Sequence, residues 1–144
     1  MKIRALFIFG IATITTYAVI ACSASVSRSE CTTIDSIVNA PRKFDGKQIC
    51  IQGYVFLDRH HMQIVESKTS RASIVLDIPK RAERSGTVRQ FIQIVYKEPL
   101  STPWRGVHAT FSGVLKWYPD RIPRYVMAVD DIFDIEDQTA SEVP

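Results

Sequence analysis

The chain has 144 residues, with 18 basic and 15 acidic side chains and a formal net charge of +3. Its length suits one domain with a modest core. The near-balance of charge argues against nucleic acid as a ligand, because neutralising phosphates requires a dense basic stripe.

Lys2 and Arg4 precede an uncharged, largely apolar run from Ala5 to Ile20. A short basic segment followed by such a run has the form of a secretory signal. At about 16 residues the run is short for a membrane span, which needs roughly 20. It ends in Val19-Ile20-Ala21-Cys22. That ending resembles the bacterial lipoprotein lipobox, with an aliphatic residue three positions before the cysteine and a small one just before it. The resemblance implies that residues 1–21 are a signal peptide and that Cys22 is lipidated. The sulfur would carry a diacylglycerol and the freed amine an acyl chain such as palmitate. A single acyl chain holds a protein only marginally, so the combined chains are what make the attachment last. The family's inner-membrane retention signal is an Asp after the cysteine. Ser23 stands there instead, which favours the outer membrane, facing the periplasm. An ordinary cleaved signal and an uncleaved helix are the alternatives. Without Lys2 and Arg4, 16 basic residues face 15 acidic ones.

The cysteines are Cys22, Cys31 and Cys50. With Cys22 taken by lipid, Cys31 and Cys50 remain as a pair, and export implies an oxidising compartment. A bridge between them would close a loop of about 20 residues and stabilise the fold by about 3 kcal/mol on the chain-entropy model. Two free thiols or a metal pair are the alternatives, but no His or Cys accompanies them at zinc-ligand spacing. Residues 22–31 then read as the lipidated cysteine and a small, polar tether.

In Thr32 to Asn39 a threonine can cap a brief helix, and Ile34, Ile37 and Val38 form its apolar face. Pro41 ends it, and Phe44-Asp45-Gly46-Lys47 forms a turn. Gln48 to Leu57 alternates as a strand, with Ile49, Ile51, Gly53, Val55 and Leu57 on an inner face and Tyr54 and Phe56 on the outer one. Asp58-Arg59-His60 begins a turn. Met62 to Ser67 and Ser73 to Ile78 are the second and third strands. Between Arg81 and Pro99, Val88, Phe91, Ile92, Val95 and Tyr96 have helical spacing, although Phe91 to Lys97 also holds strand-forming residues. The periodicity favours a helix. Leu100 to Gly106 reads as a loop, Val107 to Trp117 as the fourth strand and Arg124 to Ile135 as the fifth. Six acidic residues and no basic ones lie between Asp130 and Pro144, and residues 137–144 read as an acidic tail. From Lys80 to Arg105 six basic residues meet only two acidic ones.

The expected fold is mostly β: five strands, a short N-terminal helix, and a helix between strands three and four, over residues 32–136. This order resembles the OB-fold, a five-stranded Greek-key barrel. Within it, Phe44-Asp45-Gly46-Lys47-Gln48-Ile49-Cys50-Ile51-Gln52-Gly53-Tyr54-Val55 and Trp104-Arg105-Gly106-Val107-His108-Ala109-Thr110-Phe111-Ser112-Gly113 resemble segments of small bacterial OB-type envelope proteins. The resemblance implies a fold and a compartment, the bacterial cell envelope, and no reaction.

No catalytic constellation appears: there is no Gly-x-Ser-x-Gly, His-Glu-x-x-His, P-loop or Cys-x-x-Cys. Neighbouring strand residues face opposite ways, so His60 and His61 make a poor metal pair. His108 lacks a nameable orienting carboxylate. Asp130, Asp131, Asp134, Glu136 and Asp137 match no calcium-loop spacing. Neither a cofactor nor a metal is expected, and a binding module is expected in place of an enzyme. OB-folds bind through the face of strands two and three and the loops beside it. That resemblance implies a ligand-binding set of Tyr54, Phe56, Arg59, His61, Trp117 and Tyr118, with aromatics stacking on rings. Packing of Tyr54 and Phe56 beneath a helix is the alternative, as is a cover for the barrel end by Trp117 and Tyr118. The expected partners are the membrane through the lipid anchor and a cell-wall glycan, a lipid head group or an envelope protein. The basic set Lys80, Arg81, Arg84 and Arg89 suits an anionic surface. The other readings are an accessory subunit of an envelope assembly and, last, an envelope-polymer hydrolase.

Overall fold

A computed structural model describes residues 31–57, 60–97 and 103–138. The signal segment, Cys22, the tether through residue 30, Arg59 and residues 139–144 lie outside the described residues. The chain is mostly β. Five strands, β1 (Gln48–Leu57), β2 (Met62–Val65), β3 (Ile74–Asp77), β4 (Trp104–Trp117) and β5 (Tyr125–Asp137), close into a ring in the order β1-β2-β3-β5-β4. Only the β3–β5 pairing is parallel, and β4 returns to pair with β1.

Closure follows from the alternation of side chains. Ile49, Ile51, Val55 and Leu57 are buried on β1, as are Val107, Ala109, Phe111 and Leu115 on β4. Ile64, Ile74, Met127 and Val129 complete the inner wall. Each large side chain fully buried contributes about 1.5–3 kcal/mol relative to leaving it in water. Register shifts in β4–β5 at His108/Thr110 and Ser112/Gly113 mark irregularities of the kind that bend and twist long strands.

Helix α1 (Ile34–Asn39) begins at Thr33, whose Oγ1 accepts from the Ser36 amide at 3.1 Å. Its Ile34 and Ile37 join the core. Pro41 does more than end this helix. It takes the first position of a second short helix, α2 (Pro41–Phe44), where its missing N–H costs nothing. Gly46, at φ 71°, then turns the chain into β1. Helix α3 (Gly86–Val95) follows a 3₁₀ turn at Ala82–Arg84 and settles the ambiguity of this segment in favour of the helix. Its Val88, Phe91 and Val95 are buried, and Phe91 meets Phe111 edge-on with centroids 5.4 Å apart.

Several strand bounds differ from the sequence reading: β2 stops at Val65, β3 spans Ile74–Asp77, and β4 and β5 are longer than expected. β4 starts at Trp104, because Trp104 pairs with Phe56 before the chain reaches the alternating run. β5 continues to Asp137, paired with Val107, so the first acids of the acidic segment belong to the sheet. The opposed charge blocks also meet: Arg81 pairs with Asp130 at 3.2 Å, an exposed contact worth about 0–1 kcal/mol. Among the described residues no helix is long and apolar enough to cross a membrane.

Candidate ligand-binding groove

The outer face of β1 carries Tyr54 and Phe56, both half-buried. Opposite them on β4 stand His108 and Trp104, and on β2 Val65 and Gln63. Between Tyr54 and Phe56 the register shifts, so that two steps along β1 match four along β4. This irregularity brings two β4 rings to one tyrosine. The Tyr54 ring lies 5.2 Å from Trp104 and 4.9 Å from His108, the latter edge-on. Tyr54 therefore rests against rings of the neighbouring strand. Offset or edge-to-face pairs of this kind are worth about 0.5–1.5 kcal/mol beyond burial.

Two cavities open along this face. One, of about 200 Å³, is walled by Phe56, Trp104, Val65 and the Ser67–Arg71 segment. The other, of about 600 Å³, is walled by Val75, the 71–73 segment, His61 and the β4–β5 loop at Ile122–Tyr125, with Val38 of α1 at its edge. Both include Gln63, Arg71 and Ser73, so they form one bent groove. Ser73 donates to Gln63 Oε1 at 2.6 Å and fixes that amide between them.

The groove is electropositive. Among the described residues Lys68, Arg71 and Arg124 line it, and no Asp or Glu does. The Lys68 ammonium lies 5.2 Å above the Trp104 ring. The nearby Glu66 turns elsewhere: its carboxylate accepts from the Asp35 amide in the first turn of α1. An acid there suits the positive end of the helix.

The sequence-predicted set is divided. Phe56 and His61 line the groove, and Tyr54 lines neither cavity but stacks on Trp104 at its edge. Trp117 and Tyr118 line neither cavity. Trp117 continues the inward row beyond Leu115, its amide donates to Asp45 Oδ1 at 3.0 Å, and Arg42 stacks 5.9 Å from its ring. It thus packs where α2 meets the sheet. Tyr118 closes the β4–β5 turn, with its amide on the Arg124 carbonyl and Arg121 over its ring. Trp104, Lys68 and Arg71 were missed. Trp104 follows Pro103 and precedes Gly106, signals that read as a loop, and its place beside Tyr54 depends on a long-range register. Arg105, also read as loop, points inward and is 1% exposed. Among the described residues no group of three or more His, Cys, Asp or Glu side chains gathers as a metal site.

No family model matches the chain, and no curated protein matches it.

Proposed function

We propose that this chain is a non-catalytic binding module of the OB type, held in the bacterial envelope by lipid on Cys22, and that its ligand occupies the groove beside Trp104. The observation that carries this reading is the half-buried ring cluster of Tyr54, Trp104 and His108, continuous with two joined cavities. Rings kept partly open to solvent beside a concave wall offer a stacking surface, and a groove of this size lies in the range of small-ligand sites. The strand order and the helix between β3 and β4 support the OB assignment. The lipobox supports the anchor.

A second reading, docking of an envelope protein, draws on Ile122. This residue is 98% exposed at the tip of the β4–β5 loop. One experiment separates the two. Purified chain is sedimented with cell-wall sacculi, with Trp104→Ala and Ile122→Asp run alongside. Wild-type pelleting that persists in salt and falls about tenfold in Trp104→Ala, the loss of one stacked ring, supports the groove. Pelleting indifferent to Trp104→Ala contradicts it. Loss only in Ile122→Asp moves the site away from Trp104 to the β4–β5 loop end of the groove.

A further inference from the structure

Resting on the groove as the binding site, we infer that its ligand is an acidic oligosaccharide, stacked on Trp104 at one end and held by its anionic groups at Arg71. The two lobes differ in chemistry. The smaller has ring walls, Phe56 and Trp104, and serine hydroxyls of Ser67, Ser70 and Ser73. A pyranose presents an apolar C–H face and a rim of hydroxyls, which fits a ring on one side and hydroxyls on the other. The larger lobe has few hydroxyls and is lined by both Arg71 and Arg124. Arg71 belongs to both lobes, so one guanidinium sits where successive units of a linear ligand would meet.

Charge selects the class of sugar. Lys68, Arg71 and Arg124 are exposed, and among the described residues no carboxylate pairs with them. A guanidinium binds a carboxylate or phosphate in a two-pronged geometry that an uncharged hydroxyl does not exploit. A neutral glycan would leave these cations without a role. Nucleic acid would supply both rings and anions. It would, however, place a phosphate at every residue along a continuous basic track, whereas this groove offers three cations among walls that include the apolar Val65, Val75 and Ile122.

The test uses calorimetric titration of the whole chain with four probes at low salt. They are tetragalacturonate, its neutral methyl ester, a phosphate-substituted tetrasaccharide and a thymidine tetranucleotide. The acidic sugars should bind at least about tenfold more tightly than the ester, one charge-assisted contact converted to affinity. The preferred acid, carboxylate or phosphate, identifies the anionic group. In Lys68→Gln/Arg71→Gln, exposed positions whose change leaves the core untouched, affinity for the acidic sugars should fall to that of the ester. Equal binding of acid and ester, with Trp104→Ala still harmful, would overturn the acidic specificity and keep the groove. Tighter binding of the tetranucleotide would replace the inference with nucleic acid recognition. Binding of no probe would overturn it too, and the sacculus experiment would then decide the groove on its own.

Discussion

Gly113→Ala is expected to destabilise the domain by about 3 kcal/mol, the upper range for an unaccommodated methyl group in a packed interior. Gly113 lies on the inward row of β4, where the register against β5 shifts. A Cβ there would run into the Ala128 carbonyl oxygen, with the Ala128 carbonyl carbon at 2.9 Å and Val129 Cα at 3.0 Å. All three are backbone atoms of the paired strand, so no rotamer change relieves the clash. The β4–β5 pairing would have to open. For a domain of this size the thermal midpoint should fall by about 10–20 °C. Gly86→Ala is the matched control. Its Cβ would meet nothing within 4 Å at the start of α3. It should leave the midpoint unchanged or raise it by a few degrees, through lost freedom in the unfolded chain. Equal effects at the two glycines would show that the β4–β5 approach is not tight.

Removing the Cys31–Cys50 disulfide is expected to cost about 3 kcal/mol. The bridge spans 19 positions and ties the segment ahead of α1 to β1. Around it the Thr32 amide donates to the Cys50 carbonyl at 2.8 Å, and Thr32 forms a parallel bridge with Ile51. Cys50 is itself 3% exposed, facing Ser112 of β4. Without the crosslink, the unfolded chain regains the freedom that the loop denied it, and residues 31–33 depend on those few backbone contacts. The thermal midpoint of the wild type should fall by about 10 °C or more in reductant. Cys31→Ser/Cys50→Ser should start low and ignore reductant. A wild-type midpoint indifferent to reductant would mean that the segment before α1 adds nothing to stability. The bridge also fixes Cys31 to β1, the strand that carries Tyr54 and Phe56.

Local pattern made the framework legible. Period-two alternation in Gln48 to Leu57 placed β1 with its bounds intact and set Tyr54 and Phe56 outward. The spacing of Val88, Phe91 and Val95 identified α3, and a threonine cap marked the start of α1. What local pattern did not carry was pairing. The groove depends on which β4 residue stands opposite Phe56, and an irregularity sets that register. The same limit hid the role of Trp117. Beside Tyr118 and Pro119 it looks like a loop aromatic, but its position two residues after buried Leu115 continues the inward row toward Arg42 and Asp45. Lys68 and Arg71 lie in the β2–β3 connection, which has no period; that hairpin sets them beside Gln63, and the β1–β4 pairing brings Trp104 to them.

The chain has two tryptophans, and they sit in different surroundings: Trp104 on the groove and Trp117 against α2. Their two indole N–H resonances can be followed separately while solubilised cell-wall glycan fragments are titrated into the ¹⁵N-labelled chain. With ligand in the groove, the Trp104 resonance moves progressively and saturates, and the Trp117 resonance stays in place. Movement of Trp117 with Trp104 fixed, or no movement of either, would contradict the assignment of the binding face.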